Sequence, residues 1–297
     1  MIPSISPFTQ VFLPLAVVLV MFALGTTLTV ADLRNVVRRP RGLVVGLFAH
    51  TVVLPLLAFG VAIVLNLSAP MALGLVLIAA CPANASVNLF TFLARGDTML
   101  SVTLTAGASL ICDISIPVFL NVGFRLFPTG HTAASFPVLP AALGLFLVST
   151  VPVMGGMFLR NRRPQMARSL EVRMGKFGLI AIVLVIAGAI WTAKSDVLAA
   201  ITQMGAPVLI LNVLSVSLAL GIAATLRLSK AQCIAVGFEC GLQNFALAAF
   251  VALTILNDAT LLLPAVAYGL TMWISAFTML ILTRRGPLSG LAGAPSF

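Results

Sequence analysis

Residues 71–97 read MALGLVLIAACPANASVNLFTFLARGD. The first ten residues are apolar enough for lipid. Then Cys81-Pro82-Ala83-Asn84-Ala85-Ser86-Val87-Asn88 puts a proline, two asparagines and a serine into the middle of a membrane span. At a helical rise of 1.5 Å per residue the break begins about 15 Å into the span, near the bilayer midplane. Alone, Pro82 would read as a kink in a packed helix. A second segment argues against that. Residues 230–256 read KAQCIAVGFECGLQNFALAAFVALTIL, with Glu239, Gly241, Gln243 and Asn244 beginning about 14 Å into their span. Asn88-Leu89-Phe90 followed by Thr91-Phe92-Leu93-Ala94 echoes Gln243-Asn244-Phe245 followed by Ala246-Leu247-Ala248-Ala249. Non-helical backbone at this depth requires a cavity lined by protein or water. Unwound carbonyls would suit a cation there, and helix N-termini an anion.

The surrounding composition fits a lipid solvent. Of 297 residues 61% are hydrophobic and 8% charged, whereas soluble domains carry about 25% charged residues. The net charge is +10, but the basic residues form short clusters between apolar runs with no aromatic interleaving, so nucleic acid is not an expected partner. Cys81, Cys112, Cys233 and Cys240 lie in apolar segments without metal-type spacing. The N-terminal MIPSISPFTQ has no basic residue before its apolar run, so no secretory leader is expected.

Nine stretches qualify as spans: 11–31, 43–66, 71–94, 98–122, 137–159, 175–193, 204–226, 230–256 and 263–283. The predicted fold is an all-α polytopic membrane protein with nine transmembrane helices in a single domain over 1–297. Alternate loops collect Arg34, Arg38, Arg39 and Arg41, then Arg95, then Arg160, Arg162, Arg163, Arg168, Arg173 and Lys176, then Arg227 and Lys230, then Arg284 and Arg285. Only Arg125 and Lys194 fall on the other side. Basic residues favour the cytoplasmic face, which predicts a multi-pass protein of the cell (inner) membrane with its N-terminus outside and its C-terminus in the cytoplasm. The two interrupted spans are five apart, an odd offset, so they cross in opposite directions. An inverted repeat of about 11–122 and 137–283 with paired interrupted helices marks a transporter binding site. Glu239, the only Glu within a predicted span, has no Lys or Arg at a similar depth. An ionised group there needs a bound cation or a proton.

At these residues the chain resembles the bile acid:sodium symporter family. The segments CPANASVNLFTFLARGDTMLSVTLT and GFECGLQNFALA are similar to its two crossing-helix motifs, GTTLTVADL fits after the first span, and the resemblance spans nearly the whole chain. It implies two inverted repeats divided into a core and a panel domain, with two crossing discontinuous helices. Bacterial members often have ten spans; nine agrees with loss of the first. It also implies sodium as the coupling ion, with two ions expected. The first would be held by Asn88, Ser101, Thr105 and Glu239. The second would be held by Glu239 and Gln243 with the carbonyls of Cys240 and Leu242, and the second-span position is here His50. An organic anion, bile-acid-like or a small carboxylate, would contact Asn88, Asn244 or Ser86 near the half-helix N-termini. The sequence does not set the oligomeric state.

Three positions depart from the family pattern. Val87 stands where a Ser usually precedes the Asn, His50 stands where Gln is frequent, and Asp113 stands where Pro is common. Imidazole is a poor sodium ligand, which leaves the second site open to question. His50 lies about seven residues inside the cytoplasmic edge of its span, and Asp113 falls toward the outer side, where a water-filled vestibule would solvate it. The expected function is secondary active, sodium-coupled symport of an organic anion by alternating access. The alternative is a proton-coupled carrier of the same fold, using Glu239 with His50 or Asp113. An enzyme is not expected. Cys81 is a conceivable nucleophile, but no His lies in its span or at a clearly matching depth. His131, in an outer loop, has no expected role.

Overall fold

The computed structural model describes residues 7–29, 40–128, 137–193 and 195–285. Arg34, Arg38, Arg39, His131 and Lys194 lie outside them. Among the described residues the chain is helical throughout, apart from one isolated β-bridge.

Helix α1 spans Pro7–Thr27. Helix α2 runs Pro40–Val64 and contains a π turn at Ala49–Val53. Pro55 explains that turn in part, since it lacks the N–H that would serve the Thr51 carbonyl. The interrupted pair follows: α3 is Ala69–Ala80 and α4 is Ser86–Leu93. Helix α5 is Thr98–Leu126, α6 is Val138–Val148 and α7 is Thr150–Arg162. Helices α8, Pro164–Ala193, and α9, Ser195–Thr225, are the two longest. The second interrupted pair is α10, Lys230–Gly241, and α11, Phe245–Phe250, which continues into a π turn at Val251–Ile255. Helix α12, Leu262–Arg285, closes the described chain.

Among the described residues, five stretches are long and apolar enough to cross a membrane: Pro40–Val64, Thr98–Leu126, Val138–Arg162, Thr202–Thr225 and Ala259–Arg284. Shorter apolar helices cover Val11–Thr27, Ala69–Ala80 and Phe245–Ile255. The outward surface carries large apolar side chains such as Val64, Leu139, Phe177 and Leu184, while Thr91, Ser101, Thr105, Ser109, Asp113, Asn212, Glu239 and Gln243 are buried. Apolar outside and polar inside is the arrangement lipid favours.

One expected boundary is corrected. The span 137–159 is found as one stretch, Val138–Arg162, with an irregular turn at Ser149 (φ −102°, ψ −70°). The span 175–193 begins earlier, at Pro164. The basic residues assigned to the loop after the fifth span therefore lie almost entirely on helices. Arg160 and Arg162 end α7, and Arg168, Arg173 and Lys176 lie on α8. Arg and Lys are good helix formers, and Pro164 is well placed at a first helical position.

Small residues set the tightest crossing. A Cβ added at Gly25 of α1 would collide with the backbone of Val153 in α7, and one at Gly156 of α7 would collide with the backbone of Phe22 and Thr26 in α1. The two glycines let these helices approach backbone to backbone. Helix α1 packs chiefly on α7 and α8, and α9 packs chiefly on α10 and α12. Helix α5 packs on both α3 and α6.

Helix ends recur in a pattern. Four non-glycine residues take positive φ: Asn66, Arg95, Arg227 and Asn257. Asn66 and Arg227 are each followed by Leu-Ser, and those serines, Ser68 and Ser229, are the N-caps of α3 and α10. The Leu67 N–H bonds the Ala62 carbonyl, and the Leu228 N–H bonds the Ala223 carbonyl, both at 3.0 Å. This six-to-one bond satisfies carbonyls that a helix C-terminus leaves free. Arg95 and Asn257 sit at the corresponding ends of α4 and of the π turn after α11. Asp97 and Asp258 then cap the next turns, from the Leu100 N–H at 3.0 Å and the Thr260 N–H at 2.8 Å.

Candidate functional site

The breaks meet. Ala83 and Gln243 form an antiparallel bridge. The Asn84 N–H donates to the Leu242 carbonyl at 3.1 Å, and the Asn244 N–H donates to the Pro82 carbonyl at 2.8 Å. Each break thus satisfies backbone groups that unwinding frees in the other, and in lipid those groups have no water to fall back on. Asn84 fastens the crossing twice more. Its Nδ2 donates to the Gln243 carbonyl at 3.2 Å, and its Oδ1 accepts from the Ser86 N–H at 2.9 Å, opening α4. The Ser86 hydroxyl also turns onto Asn84 Oδ1. Asn244 opens α11 by accepting from the Leu247 N–H at 3.1 Å, which leaves its Nδ2 against the Met21 sulfur at 4.0 Å.

One pole of the site is built from side chains. Glu239, in the last turn of α10, is fully buried. Its Oε2 accepts from the Thr105 hydroxyl at 3.0 Å, and its Oε1 has no hydrogen-bond partner. Thr105 also faces the Ser101 carbonyl at 3.0 Å. Ser101 donates to Asn88 Oδ1 at 3.0 Å and accepts from Thr91 at 3.2 Å. Asn88, Ser101, Thr105 and Glu239 therefore come together as the spacing and the resemblance implied, and all offer hard oxygen atoms. Val87 is buried in the apolar core. Thr91, one helical turn further along α4, joins the cluster through its hydrogen bond to Ser101; this residue was not anticipated.

The other pole is built from backbone. Helix α10 ends with the carbonyls of Glu239, Cys240 and Gly241 beyond the last helical donor, since the Leu242 N–H is taken by Phe238. His50 Nδ1 is 3.1 Å from the Glu239 carbonyl, and its Nε2 is 3.1 Å from the Cys81 carbonyl, at the end of α3. Ser215 donates to the Cys240 carbonyl at 3.1 Å, and Gln243 Nε2 donates to it at 3.2 Å. Asn212 Nδ2 donates to the Gly241 carbonyl at 2.7 Å and to the Tyr268 hydroxyl at 2.8 Å. The Leu242 carbonyl is taken by the Asn84 N–H. Asn212, Ser215 and Tyr268 escaped the sequence reading. The available signal was a polar pair three apart in an apolar helix, together with the chain's single tyrosine.

Two expectations about depth are corrected. Helix α2 starts at Pro40, so His50 reaches the crossing rather than a level nearer the helix end. A histidine thus does lie level with Cys81, but it meets that residue's carbonyl, not its sulfur. Asp113 is 3% exposed, not in a vestibule, and accepts from the Thr150 hydroxyl at 2.5 Å beside the irregular turn at Ser149. The Ser149 hydroxyl also lies beside the Asp113 carboxylate.

Buried polar breaks that pair inside an apolar-surfaced helical molecule define a multi-pass membrane protein of the interrupted-helix transporter class. The model of the Sodium Bile acid symporter family matches residues 14–201, and the chain belongs to that family. It is 26% identical over 253 residues to the uncharacterized sodium-dependent transporter YocS of Bacillus subtilis, covering 84% of this chain and 76% of that protein. It is 25% identical over 265 residues to a probable sodium/metabolite cotransporter of the chloroplast in Oryza sativa subsp. japonica, covering 89% of this chain and 62% of the relative. It is 26% identical over 236 residues to the human ileal sodium/bile acid cotransporter, covering 78% of this chain and 66% of the relative.

Proposed function

We propose that this chain is a sodium-coupled symporter of an organic anion that works by alternating access. One observation carries the reading: a fully buried Glu239 with an unpartnered Oε1, hydrogen-bonded to Thr105 and linked through it to Ser101 and Asn88, at the crossing of two interrupted helices. A sodium ion at Oε1 would neutralise a charge that the membrane interior otherwise penalises. Asn88, Ser101, Thr105 and Glu239 hold it, and Ser101 and Thr105 share a face of α5 because they are four apart.

The anion would be a bile-acid-like molecule or a small carboxylate, in keeping with the metabolite and bile acid cotransporters among the relatives. It would approach the N-termini of α4 and α11, where helix dipoles favour negative charge. Asn88 Nδ2 is buried without a partner, and Asn244 Nδ2 has only the Met21 sulfur. Both are donors suited to a carboxylate. The Ser86 hydroxyl is engaged with Asn84 and must turn to contribute.

Nine spans in two inverted repeats fit the recurring helix ends, since Asn66 and Arg95 flank the first interrupted pair as Arg227 and Asn257 flank the second. Helices α1, α6, α7 and α8 form the panel, and the remaining helices form the core. The Asp113–Thr150 hydrogen bond joins the two. The N-terminus lies outside and the C-terminus in the cytoplasm, on the charge asymmetry of the loops. Sodium binding favours the substrate-accepting state, and by linkage substrate tightens sodium by the same factor.

The test is isothermal binding of a panel of small carboxylates and bile acids to the purified chain in sodium or choline buffer, with Glu239→Ala and Gln243→Ala alongside. Binding that needs sodium and is lost in Glu239→Ala supports the reading, and Gln243→Ala reports whether that amide also takes part. Binding that ignores sodium but follows pH replaces it with the proton-coupled carrier.

A further inference from the structure

Two groups of oxygen atoms converge on Glu239, and they differ in what already touches them. The side-chain group keeps an acceptor free at Glu239 Oε1. The backbone group lies where the C-terminal ends of α3 and α10 face each other. The negative ends of two helix dipoles meet there, which makes it a natural position for a cation. The imidazole of His50 stands in it, with Nδ1 and Nε2 each 3.1 Å from one of the two carbonyl oxygens. A neutral ring donates to one of these carbonyls and a protonated ring to both. In either state the ring fills the space between them.

The neighbouring carbonyls are engaged as well. Cys240 O is met by Ser215 and Gln243, Gly241 O by Asn212 and Tyr268, and Leu242 O by the Asn84 N–H. Gln243 turns its amide nitrogen, not its oxygen, toward Cys240. Among the described residues, Gln243 Oε1 and Asn212 Oδ1 are the side-chain oxygens beside that group without a partner, and two oxygens do not make a site for an alkali cation, which takes several. His50 is held there from both sides by the crossing and sits in the π turn of α2. Such turns re-aim a side chain at functional positions.

We infer that this chain binds a single sodium ion, at Asn88, Ser101, Thr105 and Glu239, and that His50 permanently takes the place of a second cation. The inference rests on the proposed sodium coupling and narrows its stoichiometry. His50 is a specificity-setting residue: it removes one coupling ion from the transport cycle, so the gradient that drives uptake enters once rather than twice.

The experiment is equilibrium binding of radiolabelled sodium to the purified full chain in choline buffer, by scintillation proximity against a known protein concentration. Wild type saturates at one sodium per chain along a hyperbolic isotherm. His50→Gln, which replaces the ring with a flexible amide bearing an oxygen ligand, gains a second sodium and a sigmoidal isotherm. Glu239→Gln binds none. Two sodium ions per wild-type chain overturn the inference and leave sodium coupling intact. A His50→Gln protein that elutes as a single species yet stays at one sodium also overturns it. A wild type that binds no sodium refutes the coupling itself, a separate outcome. If His50→Gln does not yield folded protein, the wild-type stoichiometry still decides.

Discussion

Thr105→Val is the sharpest perturbation of the candidate sodium site. Valine keeps the branched shape and volume of threonine and removes only the hydroxyl. That hydroxyl is the one hydrogen-bond donor to the Glu239 carboxylate, at 3.0 Å, and it also faces the Ser101 carbonyl at 3.0 Å. A hydrogen bond to a charged group contributes about 1.5–3 kcal/mol. One hydroxyl proton shared between two acceptors at equal distance delivers roughly half, about 0.8–1.5 kcal/mol. At about 1.4 kcal/mol per decade, sodium should bind roughly three- to tenfold more weakly, before counting the lost oxygen ligand.

The assay is sodium titration of the purified variant, read as bound radiolabelled sodium and as the rise in melting temperature with sodium concentration. A ligand that binds only the folded state raises stability by mass action, so both readouts must shift together. Thr105→Ser restores the hydroxyl and should recover near wild-type affinity. A Thr105→Val protein that melts cooperatively and binds sodium as tightly as wild type would refute the placement of the ion beside Thr105.

Other outcomes follow from the packing. Gly25→Ala pushes a methyl group into the α7 backbone at Val153, and overpacking of this kind costs about 1–3 kcal/mol, read as a lower melting temperature in detergent. Asn212→Ala and Tyr268→Phe each leave the Gly241 carbonyl one donor. The double variant leaves it none, so its loss should exceed the sum of the single losses by about 1 kcal/mol or more in a double-mutant cycle; simple additivity would show that the two donors do not share this acceptor. Thr150→Val strips Asp113 of a short hydrogen bond and should cost about 1–3 kcal/mol of stability. Adding Asp113→Leu, which removes the carboxylate, should recover part of that loss in the same melting assay.

The parts that were legible share a physical cause. Pro82, Asn84 and Asn88 conflict with an otherwise apolar span, as do Glu239, Gln243 and Asn244, and lipid tolerates such a conflict only where backbone or side chain is satisfied internally. The breaks and their meeting follow from that conflict, whereas the grouping of Asn88, Ser101, Thr105 and Glu239 came from the resemblance to the symporter family. The start of α8 at Pro164 was not legible by hydropathy, because Arg168, Arg173 and Lys176 propagate a helix as well as apolar residues do. The irregular turn at Ser149 has its signal three residues on, in Pro152, which lacks the N–H for the Val148 carbonyl. That His50 would lie level with Cys81 was not legible, because α2 extends to Pro40 and is locally underwound by a π turn. The deeper reason concerns which atoms do the binding. A site made of side chains writes itself into residue types, so its oxygens can be read from Asn, Ser, Thr and Glu. A site made of backbone carbonyls leaves no such trace, because every residue carries one. What it does leave are the donors that answer it, and here those are His50, Asn212, Ser215 and Tyr268. Polar residues in apolar helices with no partner of their own kind are therefore best read as answers to carbonyls freed elsewhere, and their number measures how much of a carbonyl cluster remains for an ion.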